Sequence, residues 1–284
     1  MNYSRSVSFI IIALIYVAAT LLGLICFKLL FGVYPLLPSL LIADVAATTF
    51  VWLFGLLFRN VSVYDPYWSV VPPIVFTAFA LYEGTFTLPT VLLLLAVWYW
   101  GIRLTANWAV TFKGLDHEDW RYTRYRDSLS PFLFHITNYF GLNMMPTLVV
   151  FMVMIPGLGV IGSDASANFW TWLGFAMCVS SATIQLVADT EIHRFRDNHP
   201  GVPCNVGLWK HGRHPNYFGE IQMWWGVWVM YVSLAGFSAH PWYVSGAVIN
   251  TAMFLFISIP MMERRQLANK PEYAEYKAHT RLLI

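Results

Sequence analysis

Apolar residues run along this chain in blocks of bilayer length, and polar residues gather in short clusters between them. Eight blocks reach the roughly 20 residues that a helix needs to cross a hydrocarbon core: 7–31, 36–58, 63–82, 86–110, 131–161, 168–190, 216–235 and 242–262. The pattern predicts an all-α integral membrane bundle of about eight transmembrane helices, with seven as the alternative count. The third block is interrupted by Asp65 and by Pro72–Pro73, and prolines inside a span predict a kink packed against neighbouring helices. The first block exceeds the roughly 7–15 apolar residues of a signal peptide and reads as a retained span.

Charge orients the blocks. Threading eight spans from a cytoplasmic N-terminus puts fifteen of the seventeen Lys and Arg residues in inner segments and none in the four outer loops, with Lys28 and Arg103 inside spans. Cytoplasmic loops carry such an excess, so both termini are expected in the cytoplasm. Only 11% of the 284 residues are charged and 58% are apolar, against about 25% charged in soluble domains, which excludes a soluble core. Cys26, Cys178 and Cys204 share no paired spacing, so neither a disulfide framework nor a metal site is expected. The partners expected are the lipid bilayer and a lipophilic small molecule, not nucleic acid. Three polar stretches remain, 111–130, 191–215 and 263–284, none long enough for a separate domain. The first reads as an interfacial helix. Its acids (Asp116, Glu118, Asp119) precede its bases (Arg121, Arg124, Arg126), as the helix dipole favours, and Trp120, Tyr122 and Tyr125 suit headgroup depth.

The stretch "HGRHPNYFGE", 211–220, carries the densest chemistry. Pro215 predicts a helix start. Asn216, Gly219 and Glu220 then share a face, and Tyr217 lies in the same turn. Exposed N–H groups at a helix start attract anions, and Arg213 and His214 flank this one. Glu220 falls inside a span, where an ionisable side chain is costly and usually functional. The preceding helix ends in a second stripe, Gln185, Asp189, His193 and Arg196, spaced 4, 4 and 3. Both stripes are expected at one inner mouth with Arg264 and Arg265. Carboxylates and amides suit ribose hydroxyls or a carboxamide, and arginine forks suit phosphates, so the mouth is equipped for a dinucleotide. A plainer reading stays open: inner basic residues follow from topology alone, Asn216 serves as a simple cap, and His193 and His199 sit at an interface.

At these residues a resemblance becomes specific. "GLWKHGRHPNYFGEIQMWWG" resembles the C-terminal domain of the steroid 5α-reductase family, closest to its bacterial membrane members, with Asn216 to Glu220 matching the signature. "ADTEIHRFR" resembles the segment whose Asp and Arg contact NADPH, which maps onto Asp189 and Arg196. "ERRQLANKPEYAEYKAHT", with Tyr276, resembles the tail that closes over the cofactor. The match is strong over roughly 185–284 and looser in "DPYWS" and "EDWRYTRYRD". It implies a membrane reductase that moves hydride from NADPH to an activated C=C bond of a steroid, sterol or other enone-like lipid. It further implies a bacterial inner membrane and a cofactor site facing the cytoplasm. On this reading residues 1–130 form the substrate side and 131–284 the cofactor side of one integrated domain. The cofactor set is Gln185, Asp189, His193, Arg196, Arg213, His214, Asn216, Tyr217, Glu220, Arg264, Arg265 and Tyr276. The Gln-Glu pair that animal members carry on early helices has no counterpart in residues 1–184.

A reduction also needs a proton donor held by a partner, and Tyr64, Asp65 and Tyr67 are the catalytic candidates. Asp44 and Arg103, both inside spans and opposite in charge, suit either a structural pair or a substrate contact. Asp65 also suits a helix cap. The competing enzyme is an S-adenosylmethionine-dependent methyltransferase resembling the isoprenylcysteine carboxyl type, which shares the Arg-His-Pro start and a Glu-rich tail. A non-enzymatic sterol or lipid binder is the third reading. A transporter fits poorly, because no path of ionisable groups runs through the spans.

Overall fold

Ser4 starts the first helix by accepting the Val7 N–H on its hydroxyl at 3.3 Å, and α1 then runs Arg5–Leu30. The computed structural model describes residues 3–284. After α1 come α2 (Leu36–Phe58), a 3₁₀ turn (Val61–Tyr64), α3 (Tyr67–Glu83), α4 (Leu88–Thr111) and the short α5 (Trp120–Ser128). The chain continues through α6 (Pro131–Ile161), α7 (Phe169–Asn198), α8 (Pro215–Ala235), α9 (Pro241–Asn269) and α10 (Tyr273–His279). No strand occurs among the described residues. The all-helical expectation holds.

Among the described residues, six helices, α1, α2, α4, α6, α7 and α9, are long and apolar enough to cross a membrane. The chain is an integral membrane protein by that measure, with six spans of full character in place of the eight expected. The two blocks that fall short still fold as helices. Block 63–82 opens on the 3₁₀ turn, so α3 has 17 residues and rises about 25 Å, less than a bilayer core. In α8, 21 residues long, Asn216, Glu220 and Gln222 dilute the apolar run. Pro72 and Pro73 lie within α3, as the sequence indicates. The π-helical stretches Thr137–Met144 in α6 and Phe254–Ser258 in α9 carry no sequence signal.

The chain forms two compact units, Met1–Val71 with Thr105–Phe151, and Pro72–Leu104 with Met152–Ile284. The division runs through α3, α4 and α6.

In unit 1, Ile12, Ile15 and Ala19 of α1 cluster with Ala47 and Val51 of α2, together with Tyr64, Tyr67, Phe112 and Leu115. Arg5 closes the C-terminal end of α4, donating to the Phe112 and Ala109 carbonyls at 2.8 Å each. Such carbonyls have no partner within their own helix. The expected interfacial helix is α5. Asp119 caps it by accepting the Arg121 N–H, and Glu118 ties it down by accepting the Val61 N–H at 2.8 Å.

In unit 2, α7 and α8 meet along a seam of small residues. A Cβ on Gly219 would fall 2.5 Å from Gln185 Cγ and 2.7 Å from the Ser181 carbonyl. One on Gly226 would fall 2.8 Å from the Gly174 carbonyl. In lipid, where apolar surface alone does not drive helices together, such close backbone approach supplies the packing. At Gly219 that approach leaves no room for a larger residue between the two helices.

Candidate functional site

Pro215 sits at the first turn of α8, where its missing N–H costs nothing. From there the helix turns its Asn216, Gly219, Glu220 face onto α7. Gln185, Asp189 and Glu220 are all buried, at 1%, 8% and 5% exposure. The residue that joins them is Arg103 of α4, also buried. Its Nη1 donates to Gln185 Oε1 at 2.8 Å, and its Nη2 lies 3.2 Å from Asp189 Oδ2. The Glu220 carboxylate shares the field of the same guanidinium. It is also held by two indoles, Trp100 Nε1 donating to Oε2 at 2.8 Å and Trp224 Nε1 to Oε1 at 2.9 Å. The Asn216 amide reaches the Asp189 carboxylate.

Two donors in this cluster are left over. Arg103 Nε has no hydrogen-bond partner, and the Gln185 amide nitrogen faces Glu220 without a bond of normal geometry. Buried donors without acceptors are expensive, and they suit a ligand that brings acceptors.

A second ionic cluster forms at the start of α8. Arg213 Nε donates to Glu263 Oε1 at 2.8 Å and Nη1 to the carbonyls of Lys277 (3.1 Å) and Thr280. Lys277 Nζ meets Glu263 Oε2 at 2.6 Å, and His214 Nε2 lies 3.4 Å from Glu263 Oε1. Tyr217 stacks on His214, with ring centroids 5.3 Å apart. Tyr276 donates to the Trp209 carbonyl at 2.6 Å, and burial raises its phenol above the ordinary tyrosine range. Burial also drives the His214 imidazole down to about 4, with Arg213 and Lys277 adding and Glu263 opposing. His214 is neutral at physiological pH, and Arg213 is spent on Glu263 and the chain's tail.

The remaining candidates sit at helix ends. Arg196, exposed at the end of α7, pairs with His193 Nδ1 at 2.7 Å. Arg264 is exposed and Arg265 half-buried near the end of α9.

The catalytic candidates belong to unit 1, with Tyr64 and Tyr67 buried and Asp65 half-buried. The Tyr64 hydroxyl lies 2.6 Å from Thr147 Oγ1, and Tyr67 donates to Asp44 Oδ1 at 2.8 Å. The two phenol rings stack at 5.1 Å. Asp65 follows the 3₁₀ turn instead of starting a helix. Its carboxylate accepts from Tyr122 and lies 3.6 Å from Arg121, which ties the turn to α5. Asp44 and Arg103 are not a pair: Asp44 is bound to Tyr67 and Arg103 to Asp189.

Sequence reasoning placed Arg103 only as a partner of Asp44 or a substrate contact, and it missed Trp100, Trp224 and Glu263 as site residues. Arg103 carried a signal, a charge inside an apolar block, and Glu263 stood at the start of the last polar stretch, directly after one. The tryptophans carried none, since indoles are common along these helices.

Comparison with known proteins gives a family and no fold. The family described as "Protein of unknown function (DUF1295)" matches residues 51–280. The "Uncharacterized protein C594.04c" of Schizosaccharomyces pombe is 22% identical over 219 residues, which cover 68% of this chain. The match spans 62% of that relative's own length, less than two thirds. No solved structure matches.

Proposed function

The chain belongs to the DUF1295 family, and we propose that it is a membrane-embedded NADPH-dependent reductase of an activated C=C bond in a lipophilic substrate, such as a steroid, sterol or other enone-like lipid. The observation that carries this reading is the convergence of Asp189 and Glu220, on different helices, around one buried guanidinium. These residues lie in the two segments that resemble the reductase cofactor site. The leftover donors on Arg103 and Gln185 fit a ligand rich in acceptors. NADPH supplies the hydride when bound. Asp189 and Asn216 offer a carboxylate and an amide to ribose hydroxyls or a carboxamide, and Arg196, Arg264 and Arg265 offer forks to phosphates. Glu220, fixed by two indoles, holds Trp100 and Trp224 in place. Arg213, His214 and Glu263 hold the start of α8 against the tail. The proton is proposed to come from Tyr67 or Tyr64, because Asp65 is committed to Tyr122 and Arg121. The charge distribution supports both termini and the site facing the cytoplasm, and the family resemblance supports a bacterial inner membrane.

The second reading is the S-adenosylmethionine-dependent methyltransferase. One contact favours it: the Arg-His-Pro start is latched to Glu263 of the tail.

Thermal unfolding in detergent with NADPH, NADH or S-adenosylmethionine separates the readings, because a ligand that binds the native state raises the melting temperature. NADPH is expected to raise it. Glu220→Gln and Asn216→Ala are expected to shrink that shift more than His199→Ala does. A response to S-adenosylmethionine alone would establish the methyltransferase, and no response to any of the three would favour the lipid binder.

A further inference from the structure

Unit 1 contains a cavity that takes no part in the proposed reduction. About 250 Å³ in volume, it is lined by Gly55, Leu56, Arg59, Arg126, Phe134, His135 and Asn138. Those residues come from the end of α2, from α5 and from the start of α6. Two spanning helices begin or end there, so the cavity lies at the depth of lipid headgroups. Its lining is mostly apolar, with Gly55, Leu56 and Phe134 contributing, and Arg59, Arg126 and His135 are the basic residues among those that border it.

The charges there do not cancel. Arg126 is answered by Glu118, with contacts of 2.8 and 3.1 Å. Arg59 makes no ion pair among the described residues. One cation is therefore unspent beside an apolar wall. The two arginines are also linked, since Arg126 Nη2 donates to the Arg59 carbonyl at 3.3 Å while its guanidinium lies 4.3 Å from the centre of the Phe134 ring.

The backbone gives an independent indication. Arg59 has φ 52° and ψ 38° and is the one non-glycine residue with positive φ among those described. A helix that ends in this left-handed turn favours glycine, or asparagine, at that place. Arginine there carries conformational strain, and strain retained without a local benefit points to a use for the side chain. Asn138 enters from the π-helical stretch of α6, and such widened turns recur at functional sites.

We propose that this cavity binds the phosphate-bearing headgroup of an anionic phospholipid. The phosphate sits between Arg59 and Arg126, and the first carbons of the lipid lie along Leu56 and Phe134. A volume of this size takes a headgroup and a few methylenes, and the rest of the chains stay in the bilayer. A phosphodiester accepts forked hydrogen bonds from guanidinium groups, and the apolar wall favours a lipid over free phosphate.

The test uses the full-length protein, stripped of lipid in detergent and titrated with phosphatidylglycerol, phosphatidylcholine or inorganic phosphate. Thermal unfolding and native mass spectrometry are the readouts. Phosphatidylglycerol is expected to stabilise the protein and remain bound, and phosphatidylcholine to do so far less. Arg59→Gly is expected to leave the lipid-free melting temperature unchanged or higher, because glycine adopts the left-handed turn freely. The same variant should lose phosphatidylglycerol affinity by about tenfold or more, in line with a lost charged hydrogen bond. Arg59→Asn, which also tolerates that turn, should behave alike and covers a failure of the glycine variant to fold. Equal stabilisation by the two lipids would overturn the proposal, as would full phosphatidylglycerol binding by both variants. Inorganic phosphate reproducing the whole shift would overturn the lipid assignment.

Discussion

Asp44 in unit 1 and Asp189 in unit 2 are both buried carboxylates on spanning helices, 6% and 8% exposed, yet their partners differ in kind. Asp44 accepts from the Tyr67 phenol and makes no ion pair among the described residues. Asp189 faces the Arg103 guanidinium. The contrast extends outward. Around Asp44 run neutral links, Tyr64 to Thr147 and Thr147 to Thr48. In unit 2 the polar groups are ionic, with Arg103 among Asp189, Gln185 and Glu220, and Glu263 among Arg213, His214 and Lys277. A buried polar group must find a partner, and a phenol answers a carboxyl with a neutral hydrogen-bond donor where a guanidinium answers it with charge. Unit 1 answers its buried carboxyl with a neutral donor, and unit 2 answers its own with fixed charge.

The largest expected effect is on the ionic side. Arg103→Met leaves Asp189 buried without a counter-charge and should cost roughly 3–5 kcal/mol, read as a lower unfolding midpoint in detergent. Adding Asp189→Leu should recover much of that loss. If the double variant is as unstable as the single one, the pair is not what matters. Next comes the seam that brings the charges together. Gly219→Ala places a methyl against Gln185 and the Ser181 carbonyl and should cost about 1–3 kcal/mol; an unchanged midpoint would mean that α7 and α8 can separate cheaply.

The third prediction concerns pH. His214 titrates near 4 in the folded chain against 6.5 when unfolded. The unfolded chain therefore holds more protons between those values. This contribution to stability is complete above about pH 6.5 and is lost as pH falls towards 4, by up to about 2–3 kcal/mol. His214→Gln should flatten that part of the profile, and an identical profile in the variant would remove His214 as its source. The smallest effect is expected on the neutral side. Asp44→Asn keeps an acceptor for Tyr67 and should cost less than about 1 kcal/mol. A loss matching that of Arg103→Met would erase the difference between the units.

Some of this was legible in the sequence. The spacing of Gln185 and Asp189, and of Asn216 and Glu220, put each pair on one helix face, because helical periodicity is local. Six of the apolar blocks became helices of spanning length and composition for the same reason. Blocks 63–82 and 216–235 show where the signal thins: the first lost residues to a 3₁₀ turn, and the second carries the polar face of the site.

Pairing was settled only in three dimensions. Two opposite charges in spans, Asp44 and Arg103, invited a bond that the fold does not make, because a charge in low dielectric takes the partner that packing places beside it. The glycine seam places Glu220 and Asp189 within the field of Arg103, and α5 takes Asp65. The sequence by itself determined that this chain would be helical, membrane-embedded and polar at a few helix faces, since those depend on composition and short-range period. Tertiary structure alone decided which carboxylate is answered by a cation and which by a phenol, since that depends on contacts between residues far apart in the chain.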